Sequence, residues 1–258
     1  ITLARADVRR DVAAFLSYAV GCMMGRYSPD HPGLILANAG DTLREYFART
    51  GQTEQEVTFS PDDDGIIPIT DDAWFEDDAA ARVRQFLRAT FGKETLEENV
   101  AFIEESLGKS LRKYFTANAG SFYADHLQTY KKRPIYWMFQ SPKKHFRALV
   151  YLHRYTRDTV NTLLNGYVRE FHHKLTDRIE HLVEAAAREG LTPKEKKENT
   201  EQLQTARDAL KDIQDYERNI LLPLTQQRLE IDLDDGVKAN YPKFGNALAP
   251  ILGLAAEE

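Results

Sequence analysis

The chain has 258 residues, of which 42% are hydrophobic and 29% charged, and its formal net charge is −6. This is the composition of a globular protein of one or two domains, and no apolar run approaches the ~20 residues of a membrane-spanning helix. The single cysteine, Cys22, excludes an intramolecular disulfide framework and any multi-cysteine metal site, and it fits a reducing, cytoplasmic location. The chain begins with Ile1 rather than methionine, which we interpret as a piece of a longer protein.

The N-terminal half is predicted to be mostly helical, because apolar residues recur there at spacings of three and four. A Thr70-Asp71-Asp72 sequence is expected to cap one helix and Thr95 the next, which Gly108 should end. Residues 66–69 are expected to form a short strand after the Asp-rich turn 62–65. The helix capped by Thr70-Asp71-Asp72 is expected to cover residues 73–91. The remaining predicted helices cover residues 4–24, 42–49, 110–115 and 121–130.

Charge is distributed unevenly along the chain. Residues 54–107 contain 15 acidic and four basic side chains, whereas residues 126–175 contain ten basic and two acidic ones. Because exposed charges act over only about 10 Å at moderate salt, the second window can bind a polyanion despite the acidic total.

The stretch 131–155 is both basic and aromatic, and it is the best functional candidate. Its pattern predicts two strands, 135–139 and 146–152, joined by a basic hairpin-like connection. Lysine and arginine neutralise phosphates, and aromatic faces stack on bases. The alternative is that the aromatic side chains are core and the charges merely solvated. The candidate nucleic-acid-binding residues are Lys131, Lys132, Arg133, Lys143, Lys144 and Arg147.

Two long helices should follow and pack as an antiparallel hairpin. The first is expected to run from Asp158 to a C-terminal cap at Gly190. The second should begin at Thr192, where Thr192 and Glu195 form a capping box around Pro193. At ~1.5 Å per residue each arm would be about 40–50 Å long.

The sequence carries no motif of an active site. It lacks a Walker loop, a glycine-rich dinucleotide fingerprint, a nucleophile elbow and a zinc-protease histidine pair. The acidic stretches 62–65 and 232–236 lack the ligand spacing of a calcium loop and are interpreted as turns. We therefore expect no catalytic, metal-binding or cofactor-binding residue in this chain.

Several segments, taken in order, resemble the BREX phage-defence adenine-specific DNA methyltransferases of the PglX family. They are LSYAVGCMMGRYS at 16–28, IIPI at 66–69, DDAWF at 71–75, FLRATFG at 86–92, LGKSLRKYF at 107–115, KKRPIYWMFQSPK at 131–143, IDLDDGVK at 231–238 and YPKFG at 241–245. The segments span nearly the whole chain, and the one at 131–143 is the strongest.

The resemblance implies that the chain is the C-terminal region of a large enzyme that transfers a methyl group from S-adenosylmethionine to the N6 of adenine in DNA. The family's catalytic Asn-Pro-Pro-Tyr/Phe motif and cofactor loop lie upstream of this region. Asn240-Tyr241-Pro242-Lys243 is not that motif, because its second position differs and no cofactor-binding strand precedes it. The resemblance therefore assigns no catalytic or cofactor residue here, and S-adenosylmethionine belongs to the full-length protein.

The expected fold is mainly α, with a helical connector, a small α+β basic segment and a long antiparallel helical hairpin. The connector is assigned to residues 1–120, followed by the basic aromatic segment 121–156, the hairpin 157–228 and a docking tail 229–258. The expected function is a DNA-recognition or clamp module whose partners are double-stranded DNA and the upstream methyltransferase domain. The alternative is a scaffold that docks other BREX subunits without touching DNA, which the acidic window 54–107 favours.

Overall fold

The computed structural model describes residues 6–251 and 254. Its fold is mainly α with one small antiparallel sheet, which confirms the predicted fold class. The helices of the first half are α1 (Val8–Met23), α2 (Leu43–Thr50), α3 (Ala79–Phe91), α4 (Leu96–Leu107), α5 (Leu111–Thr116) and α6 (Phe122–Thr129). The strands are β1 (Ile66–Ile69), β2 (Tyr136–Gln140) and β3 (Arg147–Tyr151).

The helix starts in the first half differ from the prediction in two places. The predicted start of the first helix at residue 4 lies outside the described residues. The helix predicted over 73–91 begins only at Ala79, because the carboxylate of Asp78 accepts a hydrogen bond from the Ala81 amide at 2.9 Å and caps it there. Thr95 does not cap α4, since its hydroxyl donates instead to the Phe91 carbonyl at 3.0 Å.

The predicted end of α4 and the predicted turn before β1 are confirmed. Gly108 ends α4 in the left-handed conformation, with φ of 65°. The carboxylate of Asp62 accepts hydrogen bonds from the amides of Asp64, Gly65 and Ile66, which makes 62–65 a turn that leads directly into β1. Cys22 is buried in the core, as expected for a small apolar side chain.

The sheet has the order β1-β3-β2 with both pairs antiparallel, and β2 and β3 form the predicted hairpin. Because side chains alternate between the faces of a strand, the sheet separates two hydrophobic cores. On β2, Tyr136 and Met138 face the core made with α1 and α3–α6, whereas Trp137 and Phe139 face the core made with the later helices. The sheet thus joins β1, from the predicted connector 1–120, to the β2–β3 hairpin of the basic aromatic segment 121–156.

The second half is dominated by the helical hairpin. Its first arm is α7 (Thr159–Thr162), a π-helical segment (Leu163–Val168) and α8 (Arg169–Ala186). Its second arm is α9 (Pro193–Tyr216), a π-helical segment (Glu217–Leu221) and α10 (Leu222–Gln227). The arms pack against each other through α8 and α9, which confirms the predicted hairpin.

The two ends of the hairpin turn are formed differently from one another. At the start of α9 the Glu195 carboxylate accepts a hydrogen bond from the Thr192 amide at 2.8 Å, and the Thr192 hydroxyl accepts one from the Glu195 amide, which confirms the capping box. The first arm, however, ends at Ala186 with Ala187 as its cap, so the prediction of a cap at Gly190 is wrong. Gly190 lies in the connecting turn with φ of 83°.

The C-terminal segment returns to the sheet. After α11 (Gly236–Asn240) and a 3-10 segment (Tyr241–Ala247), Leu248 forms a bridge with Phe139, and the Ala249 amide donates to the Met138 carbonyl at 2.8 Å. The predicted docking tail therefore packs beside β2 up to Ile251, and residues 252–253 and 255–258 lie outside the described part. Across the residues that the structure covers, none of the helices has the length and apolar character needed to cross a membrane.

Candidate nucleic-acid interface

The first basic turn follows α6. Tyr130 caps this helix, and the Lys132 amide donates to the Leu127 carbonyl at 2.8 Å, as in helices that end in a left-handed turn. Lys131 and Lys132 have φ of 50° and 62°. Non-glycine residues pay a conformational cost in this region, and such residues cluster at functional sites. Since the turn is fixed by backbone hydrogen bonds, it presents these lysines and Arg133 in a defined place.

The second basic turn joins β2 to β3. The Ser141 amide donates to the Phe146 carbonyl at 3.0 Å, and the Lys144 amide donates to the Ser141 carbonyl at 2.9 Å. Lys144 is also left-handed, with φ of 67°. The turn therefore holds Lys143 and Lys144 on a short, closed loop at the end of the sheet.

Asp212 of α9 anchors this second turn to the helical hairpin. Its buried carboxylate accepts hydrogen bonds from the Ser141 hydroxyl at 2.6 Å, the Lys143 amide at 2.9 Å and the His145 ring at 3.0 Å. Burial alone would raise the pKa of Asp212, but these hydrogen bonds outweigh it and hold the pKa below its usual range. Sequence reasoning missed this anchor, because no local pattern connects position 212 to a turn some 70 residues earlier.

The six candidate residues do not all lie at the surface. Lys131, Lys132, Arg133, Lys143 and Lys144 are exposed. Arg147 is instead only 6% exposed, and its guanidinium donates to the Thr116 carbonyl at 2.7 Å. Arg147 is therefore covered, because it lies on β3 beside the last residue of α5, and its role in binding stays a prediction.

The structure brings three of the six residues to one pocket. Lys132, Lys144 and Arg147 line a pocket of about 490 Å³ between α5, α6, the sheet and the C-terminal segment. Lys131, Arg133 and Lys143 lie outside its lining. The other lining residues are Phe115, Ala117, Asn118, Ser121, Tyr123, Ala124, Leu127, Gln128, Met138, Gln140, Ala249, Pro250 and Ile251. Among the described residues that line it there is no acidic side chain, so the pocket is cationic.

The aromatic residues of the basic segment do not form a stacking platform. The five aromatic side chains of the two strands and their immediate ends are buried, which confirms that they belong to the core. They are Tyr136, Trp137, Phe139, Phe146 and Tyr151. These five side chains are therefore not available for stacking on bases, and the exposed groups of the two turns are the cations.

The outer end of the helical hairpin offers no comparable cationic surface. Residues 183–202 contain four basic and five acidic side chains. The ion pairs there, Lys194 with Glu198 and Lys197 with Glu201, are spaced four residues apart on one exposed face. Such pairs contribute only a few tenths of a kcal/mol each and are typical of a solvated helix.

Within residues 6–251 and 254, no three or more histidine, cysteine, aspartate or glutamate side chains are grouped so that they could hold a metal ion. Burial, followed by repulsion from Asp62, raises the pKa of Asp64 to about 7. Its carboxylate accepts hydrogen bonds from the Ile66 amide at 2.9 Å and the Tyr167 hydroxyl at 3.1 Å. These contacts tie the turn 62–65 to the first arm of the hairpin, which is a structural role.

Comparison with known proteins places the chain beside two enzymes. It is 39% identical over 264 aligned residues to the adenine-specific methyltransferase BrxX of Escherichia coli O9:H4 (strain HS), covering 94% of this chain and 21% of that protein. It is 36% identical over 253 residues to the adenine-specific methyltransferase PglX of Lacticaseibacillus casei (strain Zhang), covering 94% of this chain and 20% of that protein. The chain thus spans about a fifth of the length of these relatives. No family model matches it.

Proposed function

We propose that this chain, a homologue of one part of the BrxX and PglX adenine-specific methyltransferases, is the part that holds duplex DNA through its phosphates. The observation that carries the proposal is the pair of basic turns, which present five exposed cations, two of them in the lining of one pocket. Neutralising phosphates releases counterions and supplies affinity that does not depend on sequence. Lysine-rich turns of this kind position DNA rather than read bases.

The rigidity of both turns supports the same role. The first is closed by the helix-terminal hydrogen bonds of α6, and the second is bound to α9 through Asp212. Cations held in fixed positions lose less conformational entropy on contact with phosphates than cations on mobile loops. In this proposal the helical hairpin braces the second turn from behind, and its mixed-charge tip makes no direct contact with DNA.

The longer protein would then methylate adenine in DNA with S-adenosylmethionine as the methyl donor. The described residues do not fit that cofactor's site, because their sheet is wholly antiparallel and lacks the carboxyl edge of parallel strands at which nucleotide-like cofactors bind. No step of methyl transfer is assigned to them. Their contribution is to hold the duplex while the base leaves the stack, which costs a few kcal/mol.

A titration against DNA tests the proposal. We expect a labelled duplex of about 30 base pairs to bind with log K falling steeply against log[salt], by about 0.9 for each phosphate contacted. Changing Lys131, Lys132 and Arg133 to Glu should abolish most of this binding. Changing Lys194, Lys196 and Lys197 to Glu on the hairpin is the matched control and should leave it nearly intact. Equal losses in both variants would contradict a localised interface.

The alternative role, a scaffold for other subunits, has one structural observation in its favour. Phe91 and Phe102 are 55% and 56% exposed, and both lie within the acidic window 54–107. Exposed aromatics surrounded by acidic side chains suit a basic protein partner. In that case Phe91→Ser and Phe102→Ser would abolish partner binding in a pull-down with the other BREX subunits and leave DNA affinity unchanged.

A further inference from the structure

The pocket between α6 and the sheet has features that backbone phosphates alone do not use. Its walls are largely apolar, with Phe115, Leu127 and Met138 among them, and two glutamine side chains, Gln128 and Gln140, provide amide donors and acceptors. A volume of about 490 Å³ lies within the range of small-molecule sites, which are mostly apolar with a few placed polar groups.

Arg147 in this pocket is a buried cation whose recorded ion pair is a long one with an exposed carboxylate. Its Nε has no hydrogen-bond partner, and the nearest carboxylate is that of Asp71, 3.8 Å from its Nη2 and 67% exposed. Burial lowers the pKa of Arg147 from its usual value, and Asp71 only partly opposes this. Buried charges are normally closely paired and hydrogen-bonded, and an incompletely satisfied one is costly. An anionic ligand would supply a closer partner than Asp71.

Lys132 and Lys144 line the pocket together with Arg147. Lys144 is held in place by its side chain, whose Nζ donates to the Asn118 side-chain oxygen at 2.9 Å. Lys132 is held by the left-handed turn after α6. Three cations in the lining of a largely apolar pocket suit a ligand with a doubly charged head group and a planar, apolar body carrying hydrogen-bonding edges.

We propose that this pocket binds a single nucleoside monophosphate, with the phosphate at Lys132, Lys144 and Arg147 and the base between the apolar walls near Gln128 and Gln140. The same chemistry has two sources, a free nucleotide and one nucleotide of a DNA strand. Lys132 and Lys144 belong both to this pocket and to the proposed duplex-binding surface, whereas Lys131, Arg133 and Lys143 do not line the pocket.

Isothermal titration of the 258-residue chain with dAMP tests the proposal. We expect one site with a Kd of about 10–500 µM, as for a ligand of this size. Deoxyadenosine and inorganic phosphate should each bind at least about tenfold more weakly, because each lacks half of the contacts. Lys132→Gln and Lys144→Gln should weaken dAMP binding about tenfold, whereas the neighbouring controls Lys131→Gln and Lys143→Gln should not change it.

Three results would overturn the proposal: no heat with dAMP, phosphate binding as tight as dAMP binding, or equal losses in the pocket variants and their neighbours. Arg147→Lys is a further variant, and its thermal unfolding is measured beside its affinity because the residue is buried. A duplex that competes with dAMP identifies the DNA strand as the source, and a duplex that binds independently identifies the free nucleotide. If the unmodified chain binds dAMP but no duplex, the result counts against the proposed function and not against the pocket.

Discussion

Replacing Asp212 with Ala tests how strongly α9 holds the basic turn between β2 and β3. The carboxylate is 2% exposed and accepts hydrogen bonds from Ser141, the Lys143 amide and His145. A hydrogen bond to a charged group contributes about 1.5–3 kcal/mol, and breaking a buried charged cluster costs about 3–5 kcal/mol. Because these contributions are not additive, we expect Asp212→Ala to lower the free energy of unfolding by about 3–4 kcal/mol.

Asp212→Asn should cost less, about 1–2 kcal/mol, since the amide keeps one acceptor oxygen. Urea unfolding followed by the fluorescence of Trp74 and Trp137 measures both values. Asp215→Ala is the matched control, because Asp215 lies on the exposed face of the same helix. A loss below about 1 kcal/mol for Asp212→Ala, or one equal to that of the control, would refute the idea that this carboxylate carries the turn.

Three further predictions concern pH and capping. Burial, with a smaller effect of Arg26, lowers the pKa of His126 to about 3, so the unfolded chain takes up a proton below pH 6.5 that the folded chain does not. The free energy of unfolding should therefore fall by up to about 1.4 kcal/mol per pH unit as the pH drops from 6.5. His126→Gln should flatten this profile, whereas His181→Gln, a change at an exposed residue, should leave it unchanged. The pKa of Asp212 is lowered in the folded state, so its carboxylate stabilises the fold above about pH 4 and this stabilisation is lost as the pH falls further. The difference in unfolding free energy between the wild type and Asp212→Asn, measured by urea titration, should therefore shrink below about pH 4. Thr192→Ala removes the capping box and should destabilise the start of α9 by about 1 kcal/mol, seen as faster amide hydrogen exchange over residues 194–200, whereas Thr200→Ala in the same helix should not have this effect.

The sequence predicts local structure well where one signal has no competitor. The capping box at Thr192, the Gly108 cap and the β2–β3 hairpin are all present, because each depends on residues close together in the chain. The start of α3 was placed too early, since Asp78 offers a cap as good as Thr70-Asp71-Asp72 and tertiary packing decides between them. The pairing of β1 with β3 lay beyond local patterns for the same reason.

The candidate site was predictable in its residue types and not in its geometry. Charge counting selects the lysines of both turns, and it selects Arg147 with them although this side chain is buried. A strand alternates between two faces, and only the position of α5 shows that the Arg147 side chain is covered. The Asp212 anchor and the pocket depend on contacts between distant segments, so neither leaves a signature in the local sequence.

Salt-dependent binding of a duplex of about 30 base pairs tests the central claim most directly, by fluorescence anisotropy of the chain and of its Lys131/Lys132/Arg133 to Glu variant. The account predicts micromolar binding at low salt, a log–log slope of about −2.7 to −4.5 for three to five phosphate contacts, and loss of most of this binding in the variant. Absence of binding by the folded chain at low salt, or a variant that binds as well as the wild type, would contradict the claim that the basic turns hold DNA.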